Sequence, residues 1–292
     1  MVGGQSEVGR LSRVAIKSAA DAFVSETAVD SQWRDLRYTA RPDFSAALAE
    51  YERFLALLGG AGVQVLRFPR DERVGLDSLY ARDASVVCDQ GVILCNMEKP
   101  QRRTEPAAQE AALRAAGVPI RGRITTDGRL EGGDVCWIDE RTLAVGRGYR
   151  TNDAGIRQLR DLVAGCVDEV MVVPLPHWRG PADVFHLMSL VSPIDRDLFL
   201  VYAPLLPVPF REALLARHID LVEVPDGEFD SLGCNVLAIA PREVLTVAGN
   251  PLTRARLEQA GVTVHEFGGR EICLKGGGGP TCLTRPLARE AR

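Results

Sequence analysis

A cysteine held in a glycine-rich loop is the most chemically marked position in this chain. The segment KGGGGPTCLTRP, residues 275–286, sets four glycines and a proline ahead of Cys282. Such a loop can bring backbone N–H groups close to a small ligand. A cysteine there, with His and carboxylates elsewhere in the chain, fits a nucleophile. A flexible terminal linker would explain the glycines but not the apolar Cys-Leu-Thr that follows. In LEGGDV, Glu131 and Asp134 flank Gly132 and Gly133, a pattern suited to a cation or to acid–base work and equally to a turn with solvated acids. In LDSLYARDASVV, Asp77 reads as a turn residue or a ligand contact. Asp83 stands at the mouth of an apolar strand, where Asp is disfavoured and a buried carboxylate needs a partner such as a cationic ligand. His186, in ADVFHLMSLV, is by itself more often a satisfied core residue than an acid–base group. Arg102 and Arg103 in KPQRRTEP and Arg150 in GRGYRTN are either solvated or clamps for a carboxylate. Acids for a cationic end and arginines for an anionic end suggest an amino-acid-sized ligand carrying both.

A repeated pattern positions these residues. Five strand-like segments look alike: GVQVLRFP (62–69), GVPIRGRI (117–124), DEVMVVPLP (168–176), HIDLVEVP (218–225) and GVTVHEFG (261–268). Each follows a helical segment, about 44–58, 105–116, 153–165, 208–217 and 252–260. In the first, Phe44, Leu48, Tyr51 and Leu55 give one apolar face. The apolar runs between units, such as YARDASVVCDQGVILC, read as hairpins. A period of about 45–55 residues argues for a ring or array, because one unit cannot bury its apolar face alone. The expected architecture is α/β, a single domain over 1–292 in which four or five units close around a central channel. A two-domain α/β protein with the same element order is the alternative.

Composition narrows the function. The 292 residues are 46% apolar and 25% charged with a net charge of −4, ordinary usage for a soluble globular protein. There is no basic footprint for nucleic acid and no apolar run near the ~18 residues of a membrane span. The start, MVGGQSEVGRLSRVAIKSAADAF, lacks the apolar stretch of a secretory signal, so the expected address is the cytoplasm. The seven cysteines contain no C-x-x-C pair, and Cys88 and Cys136 fit small buried hydrophobes. His177, His218 and His265 are weaker candidates than His186.

In chain order, Asp, Arg-Arg, Glu-Gly-Gly-Asp, Arg-Thr-Asn, His-Leu and Gly-Gly…Cys form a joint pattern. In that order the sequence resembles the guanidino-group-modifying enzymes of the pentein fold, and most closely dimethylarginine dimethylaminohydrolases. The resemblance runs from RVAIKSA to CLTRP. It implies a five-bladed ββαβ propeller with the site in the central channel, and a hydrolase acting on a C–N bond of a linear amidine. Residue by residue, it makes Cys282 the nucleophile, His186 the general acid–base and Glu131 its acidic partner. Asp83 would hold the guanidinium, Asp77 would be a further substrate contact, and Arg102 and Arg150 would grip the substrate carboxylate. Asp134 joins the substrate-binding group as the closing acid of the Glu-Gly-Gly-Asp motif. The implied reaction takes N-methylated arginine to citrulline and a methylamine through a thiouronium on Cys282. No metal or organic cofactor is implied. The only partner required is a small-molecule guanidine, with no nucleic acid or membrane; a homodimer is compatible with a ring that closes without one.

The pattern departs from the family at informative places. Arginine deiminases carry His-x-Asp, whereas here the tripeptide is His186-Leu187-Met188. Loss of that acceptor favours a substituted guanidine nitrogen, which donates fewer hydrogen bonds. Dimethylarginine hydrolases commonly have Lys where Met188 stands. Arg82 before Asp83 matches the deiminases instead. Arginine deiminase or dihydrolase action on free arginine is therefore the second expectation, followed by an amidinotransferase and a ligand-binding relative without activity.

Overall fold

The repeat builds one structural unit five times: two apolar strands, a helix, and a third strand laid beside the second. The computed structural model describes residues 3–183 and 185–290. The chain opens with β1 (Leu11–Lys17), and the helix Phe44–Gly60 carries it to β2 (Gln64–Phe68), parallel to β1. The next unit is β3 (Ser85–Cys88), β4 (Gly91–Leu94), the helix Glu105–Ala115 and β5 (Ile120–Arg123). It is followed by β6 (Val135–Trp137), β7 (Thr142–Arg147), the helix Asp153–Val163 and β8 (Glu169–Pro174). Then come β9 (Val191–Asp195), β10 (Leu198–Val201), the helix Val208–Ala216 and β11 (Asp220–Glu223). The last full unit is β12 (Leu237–Ala240), β13 (Glu243–Val247), the helix Pro251–Gln259 and β14 (Thr263–Phe267). Finally β15 (Thr284–Arg289) pairs antiparallel with β1, so the last strand completes the sheet that the first strand begins. The result is five three-stranded sheets in the five-bladed ββαβ arrangement.

Sequence dictates which strands lie inside. SVVC, GVIL, LFLV and LAIA are buried along their whole length, as continuous apolar runs covered on both faces must be. The third strand IRGR alternates half-buried and exposed positions and DLVE is exposed at both ends, and in both the exposed charges guard a sheet edge. Neighbouring sheets abut: β15 packs on β3, and β12 touches both β1 and β9. The aromatic ring of Phe54, fully buried in the helix Phe44–Gly60, lies 5.0 Å from that of Phe267 in β14 and ties the first unit to the fifth.

Helix ends are written in the sequence as well. The Asp43 carboxylate accepts from the N–H of Ala46 at 2.7 Å, and Asn152 accepts from Gly155 at 2.9 Å, both as N-caps. At the far ends Gly62, Gly117 and Gly261 take φ of +74°, +69° and +79°, the left-handed turn that stops a helix. That is why three of the third-strand segments begin Gly-Val. In the fourth unit His218 occupies the same turn with φ +58°.

All five helices agree with the sequence expectation to within two residues at each end. The apolar face of the first is a correction. Ala47, Tyr51, Phe54 and Leu58 are buried, while Phe44, Leu48 and Leu55 only flank them, because the helix packs on two units and its stripe turns toward β14. Two short helices, Ala19–Phe23 and Glu26–Gln32, were outside the sequence expectation. No helix among the described residues is long and apolar enough to cross a membrane.

Candidate active site

One position recurs around the ring. The residue two places ahead of the first strand of a unit is Asp83, Gly133, Ser189, Asn235 or Cys282. All five line one cavity of about 410 Å³.

Cys282 sits on the loop before β15, and among the seven free thiols it alone is not fully buried. Its sulfur accepts a hydrogen bond from Asn235 Nδ2 at 3.2 Å. The glycines before it are needed for close approach. A Cβ on Gly276 would lie 1.9 Å from the Tyr80 hydroxyl, one on Gly278 would lie 2.6 Å from its ring, and one on Gly279 would lie 2.6 Å from Asn235 Oδ1. Burial pushes the Cys282 thiol up to about 11, with the Asp83 charge adding to it and the Asn235 hydrogen bond opposing it.

His186 lines the same cavity, and its Nε2 meets Glu131 Oε2 at 2.8 Å. Burial alone would lower the imidazole, but the carboxylates of Asp83, Asp134 and Glu131 outweigh it and raise it to about 9. Glu131 is itself fully buried, which works against its charge. The His186 hydrogen bond and the Arg150 guanidinium, 3.3 Å away, prevail and hold it at about 2. At neutral pH the two are therefore an imidazolium–carboxylate pair. Gly133 lets the chain pass beneath, since a Cβ there would lie 2.6 Å from the imidazole and 2.9 Å from Asp83 Oδ1.

Asp83 is buried between these groups. Its Oδ2 accepts from Arg102 Nη1 at 2.6 Å, while Oδ1 has no partner among the described residues. A buried carboxylate oxygen left open beside a cavity calls for a donor from a ligand. Asp77 also lines the cavity, and its Oδ2 accepts from Lys99 Nζ at 2.6 Å.

Two of the sequence-derived residues serve differently from the expectation. Arg102 is buried, and its Nε and Nη2 bind Glu105 at 2.9 and 2.8 Å while Nη2 also reaches the carbonyls of Asp77 and Tyr80. With Nη1 on Asp83, this guanidinium is a strut for the carboxylate rather than an open clamp. Asp134 lies behind the cavity wall: Thr151 Oγ1 donates to one oxygen at 2.7 Å and the Leu187 N–H to the other at 3.0 Å. It fixes the turn that carries His186 and, fully buried, does not line the cavity. Arg102 and Arg150 both line the cavity, but only Arg150 keeps a nitrogen, Nε, without a partner among the described residues.

Asn235, Ser189, Lys99 and Glu105 were missed in sequence. Asn235 carried the same signal as Asp83, a polar residue at the entrance of an apolar strand, in GCNVLAIA. Phe185 and Met188, which flank His186 in sequence, also line the cavity, as do Leu232 and Tyr80. Arg37, Lys99 and Arg179 add positive charge to the lining.

Comparison with known proteins places this arrangement. The family described as arginine deiminase matches residues 77–208 and 205–289. The chain is 29% identical to the N(G),N(G)-dimethylarginine dimethylaminohydrolase of Streptomyces coelicolor over 248 residues, 83% of this chain and 86% of that protein. It is also 29% identical to the arginine deiminase of Listeria welshimeri over 256 residues, 74% of this chain but only 62% of the relative. Among solved structures, DDAH from Pseudomonas aeruginosa in complex with citrulline superposes with a TM-score of 0.75 at 22% identity, over 94% of this chain and 98% of that one.

Proposed function

The chain belongs to the arginine deiminase family, and from that premise we propose that it hydrolyses a substituted guanidine, N-methylated arginine before free arginine, to a citrulline-type urea and an amine. The observation that carries the reading is the open, buried Oδ1 of Asp83 in the cavity shared by Cys282 and His186. A planar guanidinium set against Asp83 would satisfy it with a charge-assisted hydrogen bond.

In the resting protein the sulfur is mostly a thiol and His186 is charged, as their values of about 11 and about 9 require. The bound guanidinium supplies the positive charge that draws the thiol proton off to solvent. The thiolate then attacks the guanidinium carbon, forming a C–S bond and moving a C–N π pair onto nitrogen. His186 gives its proton to the substituted nitrogen, and the C–N bond breaks with the amine leaving neutral. A thiouronium remains. Neutral His186 takes a proton from water, the hydroxide adds to the same carbon, and the C–S bond breaks to return the thiolate as the urea C=O forms and its hydroxyl proton passes to solvent. Glu131 keeps the imidazole in one orientation through both proton transfers, as a buried carboxylate partner does.

Preference for a methylated nitrogen rests on Phe185 and Met188 beside His186, where a second carboxylate would be needed to hold an unsubstituted end. Of the two arginines assigned to the substrate carboxylate, Arg150 keeps an open donor and takes that role here. We read residues 1–292 as one domain because β15 completes the sheet of β1, and place the protein in the cytoplasm on the strength of its seven free thiols. Action on free arginine is the second reading, favoured by Arg82 ahead of Asp83. The test is ureido product from asymmetric dimethylarginine, monomethylarginine and arginine side by side, with Cys282→Ser as control. Product from the methylated substrates that vanishes in the variant supports the proposal. A higher kcat/KM on arginine moves the enzyme to the second reading, and product from Cys282→Ser at wild-type rate sinks the mechanism.

A further inference from the structure

We propose that Asn235 is a catalytic residue, the neutral hydrogen-bond donor that fixes the Cys282 sulfur in place and stabilises it as a thiolate. The inference rests on Cys282 being the nucleophile. Asn235 is 7% exposed and stands two residues before β12, where the fourth-unit turn meets the loop that carries Cys282. Its Oδ1 accepts from the Thr281 N–H at 3.1 Å. That acceptor contact settles the orientation of the amide, since only an oxygen can receive a backbone N–H. Nδ2 is then necessarily the group 3.2 Å from the Cys282 sulfur.

The amide is locked there from two sides. Gly279 lies so close that any Cβ would come within 2.6 Å of Asn235 Oδ1 and 2.7 Å of its Cγ. Thr281 Oγ1 donates to the Val236 carbonyl at 3.0 Å, so the strand entrance and the cysteine loop are clasped by two hydrogen bonds one residue apart. The sulfur therefore meets a donor that costs no reorganisation when charge develops.

The chemistry of an amide suits this position. A thiol sulfur is a weak acceptor and a thiolate a strong one, so the bond strengthens on ionisation. An amide N–H does not ionise, so Asn235 leaves proton transfer to His186. It also acts twice per turnover. It favours the thiolate before the C–S bond forms, and again when that bond breaks to release the urea. The negative charge of Asp83 opposes the same ionisation, and the Asn235 donor works against it.

The experiment uses the full-length protein and iodoacetamide, without any guanidine. Alkylation of Cys282 is followed by intact mass between about pH 7 and pH 9, in wild type, Asn235→Asp and Asn235→Ala. A hydrogen bond to a charged group is worth roughly one to two pH units of thiol ionisation. The rarer thiolate is intrinsically more nucleophilic, so alkylation is expected to slow roughly three- to fifteenfold at each pH. Hydrolytic kcat should fall roughly ten- to a hundredfold, with KM within about threefold. Asn235→Asp keeps an oxygen for the Thr281 N–H but also sets a negative charge beside the sulfur, so it should slow alkylation at least as much as Asn235→Ala, which removes the donor without adding charge and carries the numbers above. A folded Asn235→Ala that alkylates at the wild-type rate overturns the proposal. If that variant does not fold, Asn235→Asp decides, and a wild-type alkylation rate there overturns the proposal as well. Slower alkylation in a protein that turns over no guanidine would support Asn235 and reject the proposed activity, so the two fail separately.

Discussion

Replacing Glu131 by glutamine removes a buried negative charge while keeping the shape of the side chain that meets His186. In the wild type His186 is raised from 6.5 to about 9, against the opposing effect of burial, by Asp83, Asp134 and Glu131 together. At about 1.4 kcal/mol per pH unit, that elevation is worth roughly 3 kcal/mol of folding free energy. The sign follows from which state binds the proton more tightly. The folded imidazole does, so this stability is complete below pH 6.5 and disappears as the pH rises through about 9. Glu131 works in the opposite direction: held at about 2, its contribution is complete above 4.5 and disappears as the pH falls through about 2. The pair is therefore strongest between those two unfolded-state values and weakens on the alkaline side first. In Glu131→Gln, Asp83 and Asp134 still raise the imidazole, so its midpoint should fall by roughly one to two pH units rather than collapse. Ring ¹⁵N resonances report this directly, since the chain has only four histidines. Urea unfolding from neutral to alkaline pH should show wild type losing stability toward pH 9 and the variant losing it at lower pH. The variant should also be less stable at neutral pH by about 3–5 kcal/mol, because Arg150 is left beside a neutral partner. A His186 midpoint that stays near 9 in Glu131→Gln would refute the assignment of the ion pair.

Two further substitutions test the wall and the repeat. Met188→Asp restores a carboxylate beside His186, and the ratio of kcat/KM for arginine over dimethylarginine should rise roughly ten- to a hundredfold, the worth of one charge-assisted hydrogen bond; an unchanged ratio in a folded variant would remove Met188 from specificity. His218→Gly relieves a left-handed backbone at an exposed position and should stabilise the protein by about 1 kcal/mol, read as a higher urea midpoint with an unchanged slope.

The fold was legible in the sequence because its unit is a local one. Four of the five crossover helices end directly in a left-handed turn, and Gly62, Gly117 and Gly261 mark three of those ends in plain view. His218 hides the fourth, since a histidine at that turn has no signature of its own. The short helices Ala19–Phe23 and Glu26–Gln32 break the repeat and carry no periodic apolar face to announce them. Residues of the site were legible where their type is costly to bury. Cys282, His186, Glu131 and Asp83 drew attention for that reason, and all four meet in or behind the one cavity. What composition could not say is how buried charges divide their partners. Arg102 and Asp134 stand in the right motif, yet Glu105 and Thr151 use them up. Glu105 is invisible to motif reasoning because it looks like any first-turn helix acid. Asn235 could have been found by asking one question of the repeat. If Asp83 and Cys282 both stand two residues before the first strand of a unit, the same position in the other units should face the same space. Asking it yields Gly133, Ser189 and Asn235, and each does. The ring converts a fixed offset in sequence into convergence in space, so residues about fifty apart become neighbours around one substrate. A site built this way needs no long loop to assemble it. Its chemistry is then set by which of five equivalent positions holds a nucleophile, a carboxylate, an amide, a hydroxyl or nothing but a glycine.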